Sequence, residues 1–223
     1  IRIEDLAYDW DPKTVASIKS DLGETYNLFM DETLEGESYD IEITVDGDSI
    51  EPTGLPDYSY TPFDGIYPRR FENIHINVSE MDEPVYVNIT VGLLRNKNPQ
   101  VAGTDIYCQK RKVVSADRNK VGGYGKGKDS LGNFNVHKER LKILVEIETA
   151  GNGQQLPWDT QKSSIDRHND VMKKVHNWVR RISQRYFDLD ANTIPRAFLE
   201  PYDNRSRHTE HSQPVIHDYA DRT

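Results

Sequence analysis

The chain reads as an α+β protein, a mixed sheet with packed helices, and three observations predict this. Long β-branched runs fill the middle, at Phe71–Val78, Pro84–Leu94, Gly103–Ala116 and Leu141–Glu148. Helical three-to-four spacing occurs near the front (Val15, Ile18, Leu22, Tyr26, Phe29) and again after residue 164. Strands are therefore grouped between helices rather than alternating with them one by one.

Each element has its own local signal. Ile1–Leu6 alternates like a short strand. Asp11-Pro12 is an N-cap followed by proline at the first helical position, and the apolar stripe carries the helix to about Met30, with Gly23 a mild cost inside it. Tyr39–Val45 alternates and meets Asp46-Gly47, a tight-turn signal before Ser49–Pro52. Residues 1–52 thus form a small strand-helix-strand segment. Pro52, Pro56, Pro62 and Pro68, with Gly54 and Gly65, mark residues 53–70 as a Pro-rich linker or an arm across a surface.

Residues 71–190 make the second block. Phe71–Val78 and Pro84–Leu94 predict one hairpin, and Gly103–Ala116 a second that turns near Gln109 to Arg111. Gly122–Lys128 is glycine-rich and basic, and is expected to be a mobile loop. From Ser164 the spacing of Ile165, His168, Met172, Val175, Val179, Ile182 and Tyr186 predicts a long helix capped by Ser163 or Ser164, with Asp166 in its first turn and Arg180, Arg181 and Arg185 towards its end. Residues 191–223 form a polar tail, expected from Asp203 onward to be disordered or an extended arm.

The totals limit the function classes. Among 223 residues, 29% are charged and 35% hydrophobic, which suits a globular protein in water. No apolar run reaches membrane-spanning length and no signal peptide is visible, so a cytoplasmic protein without membrane partners is expected. The single Cys108 makes no internal disulfide. A start at Ile1 reads as a piece of something longer. Net charge is −9, but residues 1–64 hold seventeen Asp and Glu against three Lys and Arg, a net of −14, which leaves +5 for the remainder.

Three groups of residues carry candidate chemistry. Leu156-Pro-Trp-Asp-Thr-Gln-Lys-Ser-Ser-Ile-Asp166 is a polar loop between a strand and a helix, and its one lysine, Lys162, would be aimed by the helix start. An aimed ammonium suits a phosphate, against the plain alternative of a solvated lysine. Residues 109–128 carry Lys110, Arg111, Lys112, Arg118, Lys120, Lys126 and Lys128 against Asp117 alone, a local +6, with Tyr124 placed to stack on a base. A solvated basic hairpin explains the same charges. Asp105, Glu146 and Glu148 lie on strands and could hold a metal, although alternating polar positions on a half-exposed strand account for them more simply. The histidines lack metal-ligand spacing, and Cys108 is expected to pack within a strand.

Val45-Asp-Gly-Asp-Ser-Ile-Glu-Pro52 resembles the closing segment of a GHKL ATPase domain, as in MutL, MORC proteins and the ninety-kilodalton heat-shock chaperones. The second block resembles the transducer domain that follows, with its ribosomal-protein-like β-α fold. Gly103-Thr-Asp-Ile-Tyr-Cys-Gln-Lys-Arg-Lys-Val-Val114 resembles that family's hairpin, with Gln109 and Lys110 near the family's Asn. Leu156–Ser163 resembles the loop whose lysine reaches the γ-phosphate in the neighbouring domain. The resemblance implies Lys162 as the catalytic residue, and Thr160, Gln161 and Lys162 as the residues facing nucleotide. It implies ATP and Mg2+ as cofactors of the complete protein, and none bound by this chain alone. The partners it implies are the N-terminal nucleotide-binding domain of the same protein, a second copy as a homodimer, and DNA. The acid-and-asparagine helix, the Asp-x-Gly-x-Gly turn and the glycine-rich lid of that family are not found in these residues. A nucleic-acid-binding module using residues 109–128 is the alternative reading.

Overall fold

The structure, a computed structural model, describes residues 10–30, 42–60, 66–78, 83–151, 153, 156–159, 161–189 and 200–201. The strand expected at Ile1–Leu6, the start of the one expected at Tyr39–Val45, the tail from Asp203 and Thr160 lie outside these residues. The chain divides into two compact units, Ile1–Leu55 and Pro56–Thr223.

In the first unit, helix α1 spans Pro12–Thr25 and is capped as expected. The Asp11 carboxylate accepts from the backbone N–H of Lys13 (2.7 Å) and of Thr14 (3.0 Å). The helix stops sooner than the stripe suggests: Tyr26 is its C-cap, and a single further turn, α2 (Asn27–Met30), follows. Gly23 is more than a mild cost. Its carbonyl accepts from Thr53 N–H at 3.1 Å, and a Cβ at Gly23 would lie 2.8 Å from the Glu51 carbonyl oxygen. Only a residue without a side chain lets residues 51–53 lie this close to the helix. Asn27 adds a second tie, donating to the Thr53 carbonyl at 2.8 Å. Strands β1 (Thr44–Val45) and β2 (Asp48–Ser49) pair across Asp46 and Gly47, both at positive φ (57° and 83°), the conformation of a two-residue hairpin turn.

The second unit is a mixed sheet. Its described strands are β3 (Tyr58–Tyr60), β4 (Arg69–Ile76), β5 (Val85–Leu94), β6 (Gly103–Cys108), β7 (Arg111–Asp117), β8 (Leu141–Thr149) and β9 (Glu200–Pro201). β8 runs antiparallel to β5 from Val85 to Leu93 and parallel to β6 on its other edge. The free edge of β5 is shared: β4 pairs with Val85–Val91 and β3 with Leu93–Leu94. Tyr58–Tyr60, expected within a linker, is thus a short strand, and β9 pairs with its outer side. Both expected hairpins are present, and the second turns on Gln109 and Lys110, at φ 49° and 62°.

Helix α3 (Asp170–Phe187) covers one face of this sheet. The core there is built from alternating residues of β5 (Val85, Val87, Ile89, Val91), of β8 (Leu141, Ile143, Val145, Ile147) and from Val171, Met172, Val175 and Val179 of α3. A bulge in β4 keeps the pattern: Phe71 faces Ile89 but Ile74 faces Val87, with Asn73 at φ 56° donating its N–H to the Asn88 side chain at 2.8 Å. The extra residue moves Ile74 and Ile76 onto the face of Phe71.

The opposite face of the sheet is polar yet buried. Asp105 pairs with Lys142 at 2.5 Å and Lys112 at 3.3 Å, and Glu146 pairs with Arg70. The expectation of half-exposed strand carboxylates therefore needs correction for Asp105 and Glu146. Their side chains are 1% and 6% exposed, and each is neutralised by a cation, as buried charge requires. Among the described residues, no helix is long and apolar enough to cross a membrane.

Candidate functional site

The loop after β8 closes on itself before α3 begins. Leu156 and Ile165 are buried, and Trp158 and Ile165 form an antiparallel bridge. Asp159 N–H donates to the Ser164 carbonyl (3.0 Å) and Asp166 N–H to the Pro157 carbonyl (2.8 Å), which completes a miniature hairpin. At its tip Lys162 N–H donates to the Asp159 carbonyl at 2.9 Å, with Lys162 itself in the left-handed region at φ 56°.

One carboxylate organises this tip. Asp159 accepts from Ser163 N–H at 2.7 Å and from the Ser163 and Ser164 hydroxyls at 2.9 Å each. These bonds, the Ser163 N–H foremost, lower its pKa to about 2. Both serines are thereby used within the loop and neither caps α3. The helix starts six residues later than the spacing suggests, on Asn169, whose side chain accepts from Val171 N–H at 2.8 Å, with Asp170 in the first turn. Asn-Asp before an apolar pair was the signal that marks this start. His168, expected on the apolar stripe, lies before the helix and is exposed.

Lys162 is therefore aimed by a hairpin rather than by a helix. Its side chain is exposed, and its Nζ lies 4.6 Å from the centroid of the Trp158 ring. Gln161 is exposed beside it, and Thr160 lies outside the described residues. The arrangement presents one ammonium at a hairpin tip whose Asp159 carboxylate is already occupied by loop donors, which suits an anionic oxygen supplied from elsewhere.

The basic stretch 109–128 does not form one surface. Lys112 points into the polar layer: its side chain is 4% exposed, between Asp105 and the Tyr107 ring. Arg118 donates to the Ala102 carbonyl at 3.2 Å and lies over the Phe134 ring. Lys110 and Arg111 are half-buried, whereas Lys120, Lys126 and Lys128 are exposed. Tyr124 is not available to a base. It is 1% exposed, packs edge-on to Phe134, and its hydroxyl lies 3.2 Å from that of Thr104. The expected mobile loop is pinned at Gly122–Gly125: Asp117 accepts from Gly122 N–H (2.7 Å), and Gly123 and Gly125 pair with Leu131 and Gly132. His176 on α3 adds a ring-nitrogen bond to the Val121 carbonyl at 2.9 Å, and burial lowers its pKa.

Among the described residues, no group of three or more His, Cys, Asp or Glu side chains gathers as metal donors. Cys108 is buried within β6, and desolvation pushes its thiol up to about 12. No protein-family model matches this chain, and no curated protein matches it.

Proposed function

We propose that this chain is the transducer portion of a GHKL-type ATPase, coupling ATP binding and hydrolysis to domain closure. Lys162 contacts the γ-phosphate of ATP held with Mg2+ by a nucleotide-binding domain outside these residues. The observation that carries this reading is the closed hairpin between β8 and α3, with an exposed ammonium at its tip. A unit charge pair at 4 Å and an effective dielectric of 20 is worth about 4 kcal/mol before desolvation, enough to bias docking between two states. Hydrolysis and phosphate release remove the anchor. The ammonium also stabilises charge on the transferring phosphoryl group, while the base that activates water belongs to the other domain. Dimerisation and clamping on DNA belong to the same proposal.

The test is Lys162→Ala in the complete protein. Turnover should fall about a hundredfold, as when one preorganised charge is removed from a transition state, while ATP affinity stays nearly constant. Unchanged turnover would sink the assignment.

A further inference from the structure

The lysine is held by a ring as well as by a turn. Its Nζ stands 4.6 Å from the centroid of Trp158, close enough for the electron-rich face to attract a cation. The ring has its own anchors. Its Nε1–H donates to the Gly153 carbonyl at 2.9 Å, and the Trp158 backbone bridges to Ile165. Gly153, at φ 75°, lets the chain pass so near that a Cβ there would sit 3.2 Å from Cζ2 of the ring. A free lysine side chain samples many rotamers, and fixing it for a ligand costs entropy. A ring face that covers one side of the ammonium removes part of that cost, and the remaining N–H groups stay open to an acceptor.

We infer that Trp158 is the positioning residue for Lys162, holding the ammonium ready for an anionic phosphate oxygen. This rests on the γ-phosphate reading above. What matters is the electron density of the ring, not its volume alone.

Site-specific replacement of Trp158 by mono-, di- and trifluorotryptophan in the complete ATPase separates these. Fluorine withdraws density from the ring face and leaves its size and N–H nearly intact. Turnover should fall stepwise, by about tenfold across the series, with KM for ATP unchanged, matching a cation–π contact of ordinary strength. The same series in a Lys162→Ala background should be flat. A flat series in the parent protein, or equal losses in both backgrounds, overturns the inference and leaves the γ-phosphate reading standing. Full turnover in Lys162→Ala alone overturns both.

Discussion

Arg70 on β4 and Glu146 on β8 form a two-pronged ion pair that passes over β5, the strand lying between them. Nη1 meets Oε1, and Nη2 lies 3.1 Å from Oε2; Nη1 also donates to Thr90 on β5 at 3.1 Å. The pair clamps three strands on the face opposite α3. Its two ends are not equivalent. Arg70 has a second partner in Glu72 at 2.5 Å, and its side chain is 20% exposed. Glu146 is the more buried partner, with its side chain 6% exposed.

Arg70→Met should therefore destabilise more than Glu146→Gln. Breaking a buried pair from the side that strands the charge costs about 3 kcal/mol or more. Arg70→Met combined with Glu146→Leu should recover most of the loss, since the buried carboxylate is then gone and Glu72, 24% exposed, is left to solvent. Urea unfolding of the three variants reads this order directly, and equal losses in the single variants would refute it.

The basic stretch should behave towards DNA as three cations, not seven. Lys120, Lys126 and Lys128 are exposed, while Lys112 faces Asp105. Each phosphate neutralised lowers the slope of log K against log salt by about 0.9. A duplex titration across salt concentrations should give a slope near −3, and Lys126→Ala with Lys128→Ala should remove about two units of it. Lys112→Ala should leave the slope unchanged while lowering stability. A slope near −6 would mean that all seven cations reach phosphates, the half-buried and inward-facing ones included, and would refute this count.

Much of the sheet was legible because its signals are local. Asp11-Pro12 and Asp46-Gly47 act through neighbours two or three residues away, and the structure shows them doing so. Even the β4 bulge is written in the switch from odd to even apolar positions between Phe71 and Ile74. What failed was direction. Lys112 and Tyr124 look like surface residues in a basic, glycine-rich stretch, but register shifts between β6 and β7 and the Thr104 hydroxyl on the next strand draw them inward. The start of α3 was misplaced for a similar reason. Asp159 claims Ser163 and Ser164 from four and five residues away, and no helical periodicity reports a side chain used in a loop.

Cys108 should resist alkylation in the folded protein. Its thiol is buried in β6 and held near pKa 12 by desolvation, so almost no thiolate exists at pH 8. Iodoacetamide should label it only in urea, at concentrations where unfolding begins. Rapid labelling without denaturant, followed by mass spectrometry, would mean that β6 opens far more often than its burial implies.

The hairpin tip that carries Lys162 should have its own acid limit. Asp159 titrates near 2 in the folded loop against an ordinary 3.8, because its charged form accepts the Ser163 and Ser164 donors. A carboxyl whose folded pKa is depressed contributes order that is fully present above the ordinary value and is lost as pH falls through the folded one. The tip should thus be intact at pH 5, begin to weaken below about 4, and be lost near 2. Asp159→Asn removes the charge that strengthens these bonds, so its tip should be looser at pH 7 and its pH profile flat through this window. The Ser163 amide, which donates to that carboxylate at 2.7 Å, is the natural reporter. Its proton resonance should move upfield as pH falls from 4 to 2 in the parent, and hold its position in Asp159→Asn. A Ser163 amide that titrates alike in both proteins would remove Asp159 as the organiser of the tip.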